Sequence, residues 1–157
     1  SRRNMKIQLR PATYDDLELM LKWRHDPRVS QGFYSQQNGH VITWAEHVIW
    51  WESRKNWQTF IIQLNDKEIG VISFSGLDCW FPQIGIYIGE PILWSKGYGK
   101  QALLAGLNWL KENDYSYVWT TILKTNDRAI RLFESVGFRQ MDEGREDEWF
   151  YRKNLTK

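Results

Sequence analysis

Residues 84–102 read Ile84-Gly-Ile-Tyr-Ile-Gly-Glu-Pro-Ile-Leu-Trp-Ser-Lys-Gly-Tyr-Gly-Lys-Gln-Ala102. Isoleucine recurs at every second position of the opening stretch, the period of a strand. Pro91 interrupts it. Lys96-Gly97-Tyr98-Gly99-Lys100 then opens a run, 97–113, in which Leu103, Leu104, Leu107 and Leu110 fall on one helical face. A strand that passes through a glycine loop into a helix leaves free N–H groups at the helix start, where anions bind, and the glycines let a ligand come close to the backbone. Two lysines add positive charge. The segment is of the phosphate-cradle type. It is neither a dinucleotide fingerprint nor a Walker loop, because the third glycine and the Gly-Lys-Ser/Thr ending are missing.

Working outward, 115–123 is a continuous, mainly apolar run and reads as a strand buried on both faces. Strand, helix and strand over 83–123 imply one parallel pair. Residues 127–136 form a helix with Gly137 placed to end it, and 138–142 with 148–155 form a closing hairpin. On the other side, 58–64 and 68–76 pair as a hairpin around Asn65-Asp66-Lys67. Residues 6–10 alternate as a short strand that Pro11 ends. Thr13 with Asp16, followed by Leu17, Met20 and Leu21, starts a helix that runs to Arg24. Residues 25–42 are an irregular loop with room for one helical turn, and Thr43 with Glu46 opens a helix to Arg54. The order is β-α-α-β-β-β-α-β-α-β-β. It describes an α/β (α+β) domain with a mixed, mostly antiparallel sheet, spanning 5–157. Ser1-Arg2-Arg3-Asn4 reads as a leader or remnant before a natural start at Met5.

Composition narrows the function. Of 157 residues, 42% are apolar and 25% charged, so the chain can fold around one core. No run approaches the ~18 apolar residues of a membrane span. The lone Cys79 allows neither an intrachain disulfide nor a cysteine-built zinc site, which makes a reducing, cytoplasmic setting the expectation and a metal site unexpected. A formal charge of +2 is too balanced for a domain that lives on nucleic-acid phosphates. Ten tryptophans exceed what so small a core absorbs, so several should line a pocket.

A second segment, Asn126-Asp-Arg-Ala129-Ile-Arg-Leu132-Phe133-Glu-Ser-Val-Gly137-Phe138, follows the next strand. With Trp94-Ser-Lys-Gly97-Tyr-Gly99 before it, the chain resembles the GNAT superfamily of acyl-CoA-dependent N-acetyltransferases. Their motif A is a strand, Gln/Arg-x-x-Gly-x-Gly/Ala and a helix. Their motif B is Asn-x-x-Ala-x-x-Leu-Tyr/Phe-x-x-x-Gly-Phe. The element order fits as well, so the resemblance covers nearly the whole chain and implies a GNAT-like fold with a splayed parallel pair of strands. It implies acetyl-CoA as cosubstrate. The pantetheine arm would pair with Tyr87, Ile88 and Gly89. The pyrophosphate would sit on the loop Trp94, Ser95, Lys96, Gly97, Tyr98, Gly99 and Lys100. Asn126 and Phe133 would face the reacting end, and the Ile88 N–H would polarise the thioester carbonyl.

Two departures bear on mechanism. Trp94 stands where the family usually has Gln or Arg, a variant shared with the branch that acts on ribosomal-protein termini and small amines. Phe133 stands where many members carry a tyrosine that protonates the departing thiolate. Tyr98, Tyr117 or water are the replacements, or unassisted departure. Gln83 stands where a catalytic glutamate is found in other members, which favours acceptor amines of low pKa.

The N-terminal half should shape the acceptor site. Trp23-Arg24-His25-Asp26-Pro27-Arg28-Val29, then Glu46-His47-x-x-Trp50-Trp51, is similar to the branch that acetylates nucleotide-linked amino sugars. Arg24 or Arg28 would hold a diphosphate. Phe33, Tyr34 and Trp50 or Trp51 would stack on a base or sugar, with His47 beside them. The expected reaction is acetyl transfer to a primary amine of a small molecule, foremost a nucleotide-linked amino sugar; a protein N-terminus or an aminoglycoside- or polyamine-type amine is the alternative. No membrane or nucleic-acid partner is expected, and a homodimer is compatible with the resemblance. A CoA-binding module without catalysis and a tryptophan-rich single-strand binder are the rivals from other classes. The second would need a basic groove.

Overall fold

A computed structural model describes residues 5–156. Seven strands form one sheet: β1 (Ile7–Pro11), β2 (Gln58–Leu64), β3 (Lys67–Ser75), β4 (Gln83–Ile88), β5 (Tyr117–Leu123), β6 (Arg139–Gly144) and β7 (Glu148–Asn154). Their spatial order is β1-β2-β3-β4-β5-β7-β6. Every neighbouring pair is antiparallel except β4 and β5, which are parallel and joined at one register position, Gln83 opposite Trp119. The helices are α1 (Leu17–His25), α2 (Pro27–Ser30), α3 (Trp44–Ser53), α4 (Tyr98–Glu112) and α5 (Asp127–Ser135). This is the mixed, GNAT-like order that the sequence implies. α2 is a helical turn inside the 25–42 loop, with Pro27 at its start and the Asp26 side chain capping the Arg28 N–H; the loop expected to hold one turn carries a second, a 3₁₀ turn at Tyr34–Gln36. Among the described residues no helix is long and apolar enough to cross a membrane. Residues 1–4, read above as a leader, lie outside the described residues.

Strand alternation divides the apolar residues between two faces. Phe60, Ile62, Ile72, Phe74 and Ile84 face α4 and α5 and build the larger core with Leu103, Leu107 and Leu110. Ile61, Val71 and Tyr87 point the other way, against Leu17, Met20 and Trp23 of α1. Gly106 lets α4 settle onto β3, since a Cβ there would overlap Ile72. Both long C-terminal helices end in a Schellman turn. In α5 the left-handed residue is Gly137, as expected, with Phe138 N–H donating to Phe133 O. In α4 it is Asp114, so Tyr115 belongs to the turn and β5 begins only at Tyr117.

Candidate active site

The site begins where β4 and β5 part. At the closed end Trp119 N–H donates to Pro82 O (3.1 Å) and Thr120 Oγ1 to Ile84 O (2.7 Å). Beyond that no further register position joins the two strands. The β3 register decides which β4 groups face the gap. Gly70 lies opposite Ile88, and Gly89 N–H donates to Ile69 O at 2.8 Å. In such a ladder the amides of alternate residues point to alternate edges. Those of Tyr87 and Gly89 are turned to β3, and those of Ile86 and Ile88 to the gap. Of the three β4 residues expected to pair with a pantetheine arm, the register therefore leaves Ile88, joined by Ile86. The Ile88 carbonyl already accepts from Trp94 Nε1 (2.9 Å), so Ile88 offers its N–H.

Below the gap is a cleft of about 380 Å³ lined by Ile86, Tyr87, Ile88, Trp94, Ser95, Gly97, Gly99, Lys100, Asn126 and Phe133, among others. Ser95 (φ 61°) and Gly97 (φ 87°) are both left-handed, and Gly97 caps α4. Among the described residues the amides of 95–100 make no hydrogen bond, which leaves a fan of donors at the positive end of a helix. Lys100, Arg128 and Arg131 line the same cleft, and none of them forms an ion pair among the described residues. Arg128 lies on the Trp94 ring, 3.6 Å from its centroid, where partial burial pulls its pKa down. Free amides, three cations and an unpaired strand edge fit a pyrophosphate with an amide-bearing arm. Lys96 and Tyr98 do not line the cleft. Tyr98 Oη turns to Met5 Sδ (2.9 Å). Tyr117 packs on Trp80 and Phe81 at the far end of β5 and lines neither cleft. Neither of the two phenols considered for the leaving group is therefore beside it. Phe133 is buried against Phe138, and the Asn126 side chain caps α5 through Ala129 N–H.

On the opposite face of β4 a second cavity, about 490 Å³, holds Arg24, Phe33, Tyr34, His47, Trp50, Trp57, Tyr87, Trp119, Arg145 and Glu148 among its walls. Gly32, Phe33, Ile86, Tyr87, Asn126, Ala129 and Phe133 line both cavities, so the two meet along β4. Arg24 is held by neutral groups. Its Nε donates to Gln36 Oε1 (2.9 Å), its Nη2 to Ser35 Oγ (3.1 Å), and its guanidinium lies 3.8 Å over Phe33. Without a carboxylate partner among the described residues, burial draws its pKa down. His47 Nε2 donates to Leu17 O (3.0 Å) and the ring stacks on Trp50. Burial lowers its pKa, which keeps the imidazole neutral at pH 7. Among the described residues Tyr87 Oη is buried with no hydrogen-bond partner, and burial pushes the phenol well above its ordinary range.

Two residues expected in this pocket lie elsewhere. Trp51 turns from the cavity to the α1 core and to the Arg54 guanidinium, 3.7 Å from its centroid. Trp50 takes the place in the wall. Arg28 is drawn out to Asp26 (2.9 Å) and lines a separate groove with Glu90 and Pro91. Conversely, Arg128, Arg131, Arg145 and Glu148 went unread. Glu148 is buried to 6% exposure of its side chain, and among the described residues its ion-pair partner is Arg145 Nη1, at 3.6 Å.

The chain is similar to known proteins in sequence and in fold. The family model described as Acetyltransferase (GNAT) domain matches residues 6–139. The uncharacterized protein MJ1062 of Methanocaldococcus jannaschii is 41% identical over 154 residues; the match covers 96% of this chain and 31% of that protein, so the chain spans about a third of its relative. The crystal structure of a domain from Methanocaldococcus jannaschii superposes with a TM-score of 0.91 at 41% identity, covering 96% of this chain and 99% of that one. Spermidine N-acetyltransferase from Vibrio cholerae, solved in complex with CoA and spermine, gives a TM-score of 0.80 at 14% identity, with 96% of each chain covered, which is a likeness of fold.

Proposed function

The chain belongs to the GNAT acetyltransferase family, and from that premise we propose that it transfers the acetyl group of acetyl-CoA to a primary amine by direct attack. One observation carries this reading: the cradle cleft and the aromatic cavity lie on opposite faces of β4 and share a wall. A thioester lying along the β4 edge would present its carbonyl at the seam, where an amine enters from the other side. Holding the two in line supplies most of the rate, and the Ile88 N–H stabilises the oxygen as negative charge grows there. The C–N bond forms, the C–S bond breaks with its electron pair on sulfur, and a proton from nitrogen reaches the thiolate. A thiol of reference pKa ~8.5 leaves acceptably without a phenol, in keeping with Phe133 at the position of the family's acid.

The acceptor we favour is a nucleotide-linked amino sugar. Arg24 and Arg145 supply cationic groups, and Phe33, Tyr34, Trp50 and Trp57 supply flat apolar surface. An aminoglycoside- or polyamine-type amine, or a protein N-terminus, is the second reading. The comparisons favour it, because the Vibrio cholerae relative in fold is a spermidine acetyltransferase. A polycation, however, asks for several carboxylates, and among the described residues Glu148 is the one that lines the cavity. Acetyl-CoA turnover with a nucleotide-linked 4-amino sugar, kanamycin, spermidine and an alanine-terminated peptide separates the readings. The nucleotide sugar should show the highest kcat/KM. Arg24→Ala should raise its KM about tenfold or more, the worth of one charge-assisted hydrogen bond, with acetyl-CoA affinity unchanged. Preference for kanamycin or spermidine, insensitive to Arg24, would establish the second reading.

A further inference from the structure

Glu148 is the unexplained group of the acceptor cavity. Its side chain is almost wholly buried, and a buried carboxylate is costly unless it is paired and hydrogen-bonded. Among the described residues it accepts no hydrogen bond, and its one cation, Arg145 Nη1, stands at 3.6 Å with more than half of its own side chain in solvent. What remains of its surface opens into the cavity. The sheet dictates this aim. Glu148 lies opposite Leu123 on β5, so it shares a face with Leu123 and, by period two, with Trp119, the face that carries Tyr87 on β4. Leu123 ends β5 at the open end of the splay, next to the Asn126 cap that lines both cavities.

We infer that Glu148 is the general base that receives the proton of the acceptor amine. The inference rests on the acetyltransferase reading above. The ammonium of the acceptor binds the carboxylate and gives it one proton. The freed lone pair forms the C–N bond, and the C–S bond breaks with its electrons on sulfur. The adduct nitrogen loses a second proton, one proton ends on the CoA thiol, and the other passes to water. Gln83, where a base was sought on β4, has no such capacity. The other charged or titratable groups facing the cavity do not compete. Arg24 from α1 and Arg145 from the β6–β7 hairpin are cations and accept no proton. His47 from α3 is buried and stacked on Trp50, and burial disfavours its protonated form, while burial holds the phenol of Tyr87 from β4 protonated. Tyr34, from the turn after α2, lies under Arg145.

The test is the pH dependence of kcat/KM for two acceptors acetylated in the panel above whose amine pKa values differ by about two units. The wild-type protein should show one break common to both. In Glu148→Gln the break should move to each acceptor's own pKa. The rate at pH 7 should fall about 100-fold, the low end of general-base effects, and recover about tenfold per pH unit as the amine deprotonates itself. Wild-type breaks that follow the acceptors, or an unchanged profile in Glu148→Gln, would overturn the assignment. If Glu148→Gln does not fold, Glu148→Asp decides: a common break with a lower rate supports the base, and a break at the acceptor's pKa removes it. A wild-type protein that binds acetyl-CoA and acetylates no member of the panel would instead sink the acetyltransferase reading.

Discussion

The two cavities on either side of β4 recognise their ligands by different means. The cradle cleft offers mostly backbone: the free amides of 95–100 and the gap-facing groups of Ile86 and Ile88. The acceptor cavity offers side chains gathered from α1, the turns that follow it, α3, β4, β5 and the β6–β7 hairpin. Backbone recognition needs glycines and a helix start in a fixed local order, so it leaves a pattern in a short stretch of sequence. Side-chain recognition needs only that distant residues arrive together, and the chain can supply them from anywhere.

The sharpest break in that comparison is Gly97→Asp. It puts a carboxylate where an anion should sit and forces an L residue to φ 87°. Acetyl-CoA affinity measured by calorimetry should drop more than 100-fold, with the acceptor cavity untouched. Gly97→Ala is the control. A Cβ there meets nothing within 4 Å, so it should lose only the ~1 kcal/mol of a left-handed residue. Equal affinities for the wild type and Gly97→Asp would mean that the loop holds no phosphate.

A smaller effect is expected beside the shared wall, where Trp23 packs edge-on against Tyr87. A Cβ at Gly89, at the end of β4, would fall inside the indole of Trp23 on α1, whose Nε1 donates to Glu90 Oε2 at 2.6 Å. Overpacking of this kind costs about 1–3 kcal/mol. Gly89→Ala should lower Tm and raise both KM values, because Trp23 braces the acceptor side against the strand that carries Ile88. A change in one KM alone would show that the cavities are not coupled through this contact.

The same contrast explains what could be read beforehand. The leucine face of α4, the Gly137 cap and the hairpins are local, and they appear where expected. Trp50 and Trp51 could not be told apart, because they lie three and four residues from His47 and both positions share its helical face. Only packing settles that Trp50 stacks on His47 while Trp51 meets Arg54. Glu148 opens the strand read over 148–155, directly after the charged residues Arg145-Glu146-Asp147, and nothing local marks its side chain as buried. Its burial exists only because β7 pairs with β5 and carries it under the acceptor face. Arg128 and Arg131 were legible in principle, since the first turn of α5 follows the capping Asn126 beside the cradle.

The gentlest test concerns how α1, which carries Arg24 and Trp23, is held in place. Asp16 precedes it, accepting from both terminal nitrogens of Arg10 (2.9 Å each) and from Thr13 N–H (2.8 Å). The Arg10 hydrogen bonds, aided by Thr13, hold the Asp16 pKa below its ordinary value. A carboxylate so depressed contributes stability that is fully present above its unfolded pKa of ~3.9 and is lost as pH falls through the lower folded value. Asp16→Asn should therefore lower Tm near pH 7 by roughly 2–4 °C, as for the loss of about 1 kcal/mol of capping in a domain of this size. The gap should begin to shrink near pH 4 and close once the pH falls below the lowered folded value, where the wild-type side chain also becomes neutral. Acetyl-CoA affinity at pH 7 should equal that of the wild type, since Asp16 lines neither cavity and its side chain accepts from Arg10 and Thr13. A Tm gap that is the same at pH 3 and pH 7 would show that packing, not the Arg10 pair, fixes the start of this helix.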